Sequence, residues 1–251
     1  MMCSDRNMRS YREEIIETAR VKELLSRPQV AALPGAPRFE FFWDRPRPRW
    51  EHEAQTEAAE LVDDPDVYTE DMLWAGSIRD PTHHVVAAKS GKRVEYVSAA
   101  RDLPAGRIVC FYAGELRTED EHLAIEEREG WSPYAVAFKN MKLLRRLGLA
   151  AARTRAGHAP ELILDAREHR GYAGEINSAY VLPELFRSVQ RPVFANGHGE
   201  ANVELVEALD NVERKLYMFV VTCRPVAMGD ELYLDYGAAF WERYRQAHGG
   251  G

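Results

Sequence analysis

Residues 221–237 read V-T-C-R-P-V-A-M-G-D-E-L-Y-L-D-Y-G, and the rest of the chain is interpreted outward from them. An apolar strand runs into a turn marked by Pro225 and Gly229, and alternating residues then lead to Asp235, Tyr236 and Gly237. This pattern predicts a tyrosine at the tip of a strand. Its single hydroxyl both donates and accepts, so it could orient a polar group inside an apolar slot. A buried aromatic ring beside a turn is the alternative interpretation.

The composition is that of a globular protein. The chain has 251 residues, of which 45% are apolar and 29% are charged, enough for one large domain or one domain with an appendage. No apolar run approaches the roughly 20 residues that cross a bilayer, and the first ten residues lack the apolar core of a secretory signal. We therefore expect no membrane association and an intracellular location, nuclear or cytoplasmic.

The cysteines and the charge limit the possible ligands. Only Cys3, Cys110 and Cys223 are present, far apart, which argues against a disulfide framework and against a bound metal. With 33 basic and 40 acidic residues the net charge is −7, so a cationic peptide is a better partner than free nucleic acid. A nucleic-acid surface built from the aromatic and arginine residues of 38–50 and the cations of 139–155 is a third, weaker alternative.

The amino-terminal part is expected to be helical and irregular. Residues 11–27 predict an amphipathic helix that Pro28 ends. Residues 28–50, rich in proline, arginine and aromatics, predict an irregular segment, and 51–73 are partly helical. We assign 1–80 to an extension of unassigned function.

The remainder predicts short strands with a few helices. Residues 108–115 form one buried strand with a glycine break, and 202–207 and 214–222 form a hairpin around residues 209–211. Residues 134–138 and 161–166 are strands, 118–130 and 139–155 are helical, and Phe240 begins a tail helix. The prediction is a mainly β domain over 81–245 with a helical insert at about 117–160, followed by a disordered tail over 246–251.

Two passages repeat one pattern. Residues 100–115 and 223–237 each contain a basic residue, a turn with glycine, and a strand that ends near a tyrosine and a glycine. The repetition suggests two similar hairpins clipped together. The long irregular stretch between residues 167 and 199 is where a site would be built on such a scaffold.

Four motifs together resemble the SET domain of protein lysine methyltransferases, over roughly residues 85–241. R-D-L-P-A-G-R-I-V-C-F-Y-A-G-E at 101–115 is similar to the family's D-I-P-x-G turn and E-Y-x-G-E strand. L-I-L-D-A at 162–166 is similar to its I-D-A strand. F-A-N-G-H-G-E-A-N-V at 194–203 resembles F-I-N-H-S-C-x-P-N, and G-D-E-L-Y-L-D-Y-G at 229–237 resembles G-E-E-L-x-x-D-Y-G.

The resemblance implies a fold, a reaction and two catalytic residues. The fold would be the SET-type β-clip of small curved sheets with a pseudoknot crossing near the carboxyl end. The reaction would be methyl transfer from S-adenosylmethionine to a lysine of a basic protein substrate, for example a histone. Tyr236 and Tyr112 match the family's catalytic tyrosines, whose hydroxyls orient the amine, and no metal is needed.

The resemblance also implies cofactor contacts. The family's G-x-G turn falls on residues 94–96, where both glycines are replaced and a contact would come from the main chain of Glu95 or Tyr96. Either Asn177 or Asn196 would face the cofactor, because an insertion of about 19 residues separates the two. Asn202 would close the crossing. Phe240 and Trp241 would cover adenine, or simply pack in the tail helix, in a chain without the zinc-binding cysteines that close the site in many relatives.

A function from another class uses the same fold. The missing glycines are also compatible with a SET-like interaction module that has lost cofactor affinity. Binding of S-adenosylmethionine separates this alternative from the enzyme.

Overall fold

The computed structural model describes residues 14–32, 34–43, 51–78, 94–150, 161–181, 193–194 and 200–248. Within them the helices are short: α1 (Ala19–Ser26), α2 (Glu51–Asp63), α3 (Pro65–Met72), α4 (Glu119–Glu129), α5 (Met141–Arg146) and α6 (Gly237–His248), with 3-10 turns at Pro28–Val30 and Tyr172–Glu175.

The strands carry most of the architecture. They are β1 (Ile15–Glu17), β2 (Phe39–Phe42), β3 (Leu73–Ile78), β4 (Val94–Ala99), β5 (Ile108–Phe111), β6 (Gly114–Thr118), β7 (Ala135–Phe138), β8 (Leu162–Asp165), β9 (Asn177–Ser178), β10 (Tyr180–Val181), β11 (Val193–Phe194), β12 (Val203–Asp210), β13 (Lys215–Thr222) and β14 (Tyr233–Leu234). The expectation of a mainly β fold with short helices is confirmed, while the pseudoknot crossing stays a prediction.

One four-stranded sheet, in the order β2-β12-β13-β5, forms the centre of the core. The long β12–β13 hairpin is largely buried on both faces, and Phe219 and Leu216 are fully buried. The hairpin was predicted, but its turn was placed too early. β12 continues to Asp210, and this buried carboxylate accepts the backbone N–H groups of Val212 and Glu213, which moves the turn to residues 211–214.

A second four-stranded sheet, in the order β1-β6-β8-β7, lies beside it. The single strand predicted over residues 108–115 is two strands, β5 and β6, which belong to different sheets and are joined by Tyr112 and Ala113. Gly114 begins β6 at a φ of +147°, and a Cβ there would lie 2.6 Å from the carbonyl oxygen of Asp165. A glycine is therefore required where the chain passes from one sheet to the other.

Two predictions for the amino-terminal part were wrong. The helix expected over residues 11–27 begins only at Ala19, because Ile15–Glu17 extends alongside β6 as a parallel strand, and the Thr18 side chain caps the helix. The irregular segment expected over 28–50 contains β2, whose phenylalanines complete the central sheet. Tertiary pairing overrode local propensity at both places.

The helical insert was also predicted too simply. Of the helix expected over residues 139–155, α5 covers only Met141–Arg146, and residues 151–160 lie outside the described part. The division of the chain at residue 80 falls within the undescribed stretch 79–93 and stays a prediction. The strands β1, β2 and β3 nevertheless pair with β6, β12 and β4, so the amino-terminal part contributes to three sheets.

Smaller strand pairs complete the fold around the carboxyl end. β3 pairs with β4, β10 with β11, and β14 runs parallel to β9, which places Tyr233 opposite Asn177. None of the helices in the described ranges is long and apolar enough to span a membrane.

Candidate functional site

A cavity of about 960 Å³ opens between the two large sheets. Its walls come from β7, the first half of β12, the 3-10 turn and α6. Three tyrosines from separate parts of the sequence line it, namely Tyr112, Tyr134 and Tyr236. The rings predicted to act together therefore lie in the wall of the same cavity.

Tyr112 is fixed by the connection between the two large sheets. Its backbone N–H donates to Met218 O at 2.8 Å, and its hydroxyl donates to the carbonyl oxygen of Tyr134 at 3.0 Å. The residue is buried, so its ring has little freedom to move. The chain passes between the sheets just before Gly114, and this passage helps to position the hydroxyl of Tyr112.

Tyr236 is fixed at the start of the last helix. Gly237 takes a φ of +75°, and its N–H donates to Asp235 Oδ1 at 2.8 Å, which turns the chain from β14 into α6. The Tyr236 hydroxyl donates to Ile176 O at 2.5 Å, and its ring packs edge-on against Phe240 with 4.6 Å between ring centroids.

The environment keeps both hydroxyls protonated at neutral pH. Burial raises the pKa of Tyr112, and the neighbouring Tyr236 raises it further. Burial likewise raises the pKa of Tyr236, with added contributions from Tyr134 and Glu175. Because each hydroxyl proton is donated to a backbone carbonyl, the oxygen lone pairs are the part left to interact with a ligand. The pair can accept hydrogen bonds, but it cannot serve as a base near pH 7.

Tyr134 is a site residue that sequence reasoning missed, because it was interpreted only as the start of a strand. It lines the cavity and interacts electrostatically with both other tyrosines. The guanidinium of Arg170 lies 3.8 Å from the centroid of its ring. Burial raises the pKa of Tyr134, and Arg170 partly opposes that rise. The sequence W-S-P-Y before an alternating strand offers little signal for this placement.

A second group of polar atoms surrounds Asn177. This buried residue donates from Nδ2 to the carbonyl oxygen of Glu95 and to Glu231 Oε1, both at 2.9 Å. Glu231 also accepts the Tyr233 hydroxyl at 2.7 Å. Glu95 and Asn177, both predicted to contact a cofactor, are therefore brought together. Glu231 was missed, although it belongs to the quoted G-D-E-L motif.

The two glycine replacements are accommodated on one face of the β3–β4 pair. Tyr96 lies opposite Gly76, and a Cβ added to Gly76 would lie 2.7 Å from the Tyr96 ring, so the ring occupies space that only a glycine leaves open. Val94 is buried against Ile78 on the same face. Alternating side chains point to opposite faces of a strand, so neither replacement lies on the face of the Glu95 side chain.

The Asn202 side chain bonds to the backbone on both sides of Leu232. Its Nδ2 donates to Glu231 O at 2.9 Å, and its Oδ1 accepts the Tyr233 N–H at 2.7 Å. Both ends of the amide are thus engaged by the chain itself, and a cofactor contact from Asn202 stays a prediction. The alternative to Asn177, Asn196, lies outside the described residues.

The two aromatic residues of α6 occupy different environments. Phe240 lines the cavity and packs against Trp131 with 5.4 Å between centroids. Trp241 is 5% exposed and lies nearly parallel to Tyr236 at 6.2 Å, which leaves little of its ring for a ligand. Their predicted contacts with adenine stay untested.

The described residues offer two groups of hydrogen-bond acceptors. Tyr112 and Tyr236 line the cavity, while the Glu95 carbonyl and the Glu231 carboxylate accept hydrogen bonds from Asn177, and these three residues are not among the described ones that line the cavity. Within the described ranges, His, Cys, Asp and Glu side chains form no group of three that could hold a metal ion. The arrangement suits the binding and orientation of cationic or amine groups.

Comparison with known proteins identifies one family. The sequence model of the SET domain matches residues 95–237, more than half of the chain. The matched range includes Glu95, Tyr112, Asn177 and Tyr236. No curated protein matches the chain.

Proposed function

Because the chain belongs to the SET-domain family, whose members are generally lysine methyltransferases, we propose that it transfers a methyl group from S-adenosylmethionine to a lysine of a basic protein. The observation that carries the proposal is the pair of tyrosine hydroxyls, from Tyr112 and Tyr236, whose protons are committed to backbone carbonyls in the wall of one cavity.

The reacting amine has to be neutral. A lysine ammonium has a pKa of about 10.4 and no lone pair, so it must lose a proton before it can accept a methyl group. An aromatic, partly dehydrated cavity disfavours the charged form. The tyrosines, being protonated, orient the amine through their lone pairs, and the proton leaves to solvent through the cavity.

The residues around Asn177 fit the cofactor. S-adenosylmethionine, when bound, supplies an activated methyl group on a positively charged sulfonium and carries an ammonium group. Glu95 O and the Glu231 carboxylate are acceptors suited to a cation, and Asn177 holds them at 2.9 Å. The Tyr96 side chain stands where the family has a glycine, and its ring packs over Gly76. This placement supports the fit, because the ring takes no space beside Glu95.

The substrate is proposed to be a basic peptide segment, and a histone tail in the nucleus is one candidate. The net charge of −7 favours a cationic partner over nucleic acid. The carboxylates of Glu200, Glu204 and Asp235 border the cavity together with Arg224 and Arg243, so attraction is local and not uniform.

The test is a radiolabelled methyl-transfer assay against core histones and whole-cell extract, together with calorimetry using S-adenosylmethionine. The proposal expects cofactor binding, and label incorporated into protein lysines only when Tyr236 is intact. Absence of binding at millimolar cofactor would refute the proposal and favour the interaction module.

A further inference from the structure

An arginine outside the matched tyrosines contacts the cavity wall. The Arg170 guanidinium lies over the ring of Tyr134 at 3.8 Å from its centroid, and Arg170 Nη1 lies 3.5 Å from Glu175 Oε1. Tyr134 lines the cavity, whereas neither Arg170 nor Glu175 is among the described residues that line it. The charged pair thus contacts a residue of the cavity wall without lining the cavity itself.

The arginine is held in this position by its own stem. A Cβ placed on Gly174 would lie 3.8 Å from Arg170 Cβ and 3.9 Å from Arg170 Cγ, so the stem runs along the 3-10 turn. The side chain of Glu175, from the same turn, is 9% exposed, and the side chain of Arg170 is 35% exposed. Stem, ring and carboxylate together fix the direction of the guanidinium.

We propose that Arg170 is a positioning residue for the methyl transfer, which fixes the Tyr134 ring in the cavity wall and keeps a positive charge beside the incoming amine. The inference rests on the proposed function and adds a residue to it. A cation stacked on an aromatic ring is stabilised by the ring, and it also opposes a second cation nearby. The charge therefore favours the neutral form of the substrate amine.

The size of the effect follows from Coulomb's law. Two unit charges roughly 8 Å apart at an effective dielectric constant of about 20 change the pKa of the amine by about 1.5 units. The Glu175 carboxylate, 3.5 Å from Arg170, cancels part of this charge. The net expectation is a shift of about half a unit to one unit.

Other titratable groups surround the same position. The tyrosine cluster interacts with Asp165 on β8, Glu175 on the 3-10 turn, Glu231 before β14 and Tyr244 on α6. Arg243, which borders the cavity, is paired with Glu126 at 2.8 Å. These groups are identical in the wild type and in variants of Arg170, so a difference between their pH profiles isolates the arginine.

The experiment measures kcat against pH for the wild type, Arg170→Met and Arg170→Lys. Arg170→Met keeps the stem and removes the charge, so the acidic limb of the profile should move to higher pH by about half a unit to one unit, with kcat about three- to tenfold lower below the limb. Arg170→Lys keeps the charge and should leave the limb near the wild-type position. Thermal unfolding confirms that each variant is folded.

For a second variant we expect the acidic limb of the pH profile to shift in the opposite direction. Glu175→Gln removes the compensating carboxylate, so the limb should move to lower pH. An unchanged limb in folded Arg170→Met, or equal shifts in the methionine and lysine variants, would overturn the role of Arg170 while leaving the methyltransferase proposal intact. If Arg170→Met does not fold, the Glu175→Gln variant decides. An acidic limb of its pH profile that stays in place or moves to higher pH would overturn the role of Arg170. A wild-type chain that transfers no methyl group would overturn both.

Discussion

Replacing Tyr236 with phenylalanine removes one oxygen atom and keeps the ring that packs against Phe240. The lost hydroxyl donates at 2.5 Å to the carbonyl of Ile176, a residue that is 1% exposed. Leaving that carbonyl without its donor should lower the free energy of unfolding by about 1–2 kcal/mol. For a chain of this length the melting temperature should fall by roughly 3–6 °C.

The effect on catalysis should be larger than the effect on stability. When the Tyr236 hydroxyl is removed, the substrate amine loses one of the two acceptors that orient it. Misplacement of a reacting group costs on the order of 100-fold in turnover. Cofactor affinity should stay within about twofold, because the atoms that converge around Asn177 are untouched.

The matched control is Tyr217→Phe. Tyr217 is also buried in the core, but it does not line the cavity, and its hydroxyl makes no hydrogen bond within the described part of the chain. Turnover is measured with labelled cofactor, affinity by calorimetry and folding by thermal unfolding. Turnover of folded Tyr236→Phe within twofold of wild type would refute the reasoning, as would a parallel loss of cofactor affinity.

Three further predictions concern the fold. Gly114→Ala should lower the free energy of unfolding by about 2–4 kcal/mol in chemical denaturation, because the added Cβ would lie 2.6 Å from a backbone oxygen. The control Gly130→Ala has open space around its Cβ and should cost about 1 kcal/mol, because only its positive φ is strained. Equal losses in the two variants would contradict this account. Glu57→Ala leaves the buried N–H of Ile108 without an acceptor, whereas Glu57→Gln keeps a side-chain oxygen that can accept it. In the same denaturation assay the alanine variant should lose about 2–3 kcal/mol more than the glutamine variant, and equal losses would contradict this role. Burial raises the pKa of Tyr68, Tyr112, Tyr217 and Tyr236 above the ordinary value of 10, so their contribution to stability should be constant below pH 10 and fall above it, because the unfolded state releases protons first. Absorbance at 295 nm should then rise in two steps, from exposed tyrosines first and from these four only with the loss of circular dichroism. Completion of the rise while the circular dichroism is intact would contradict the burial.

The predicted and observed elements differ in ways that have physical causes. Strand runs with strong alternation or continuous apolar character, such as β8 and β13, were predicted at nearly their observed positions. The helical periodicity of the neighbouring residues predicts a helix that includes Ile15–Glu17, where the structure has a strand. Its strand pairing depends on β6, which lies about a hundred residues later, and no local pattern records that partner.

The candidate site shows the same division. Tyr112 and Tyr236 were predicted because each follows a strand within a recognisable motif. Tyr134 and Arg170 were missed because their importance comes from the stacking of two side chains 36 positions apart in the sequence, at 3.8 Å. Glu231 lay inside a quoted motif, but its contact with Asn177 exists only once β14 runs beside β9.

The sequence by itself determined the family and the β-rich class and predicted the two tyrosines, because alternation, turn residues and short motifs act over a few neighbouring positions. Only the tertiary structure decided where the hydroxyl protons go. Tyr236 donates to a carbonyl 60 residues away and Tyr112 to one 22 residues away, and these bonds leave the lone pairs for a ligand. Hydrogen-bond direction depends on where folded segments meet, and that information is not local to any stretch of the chain.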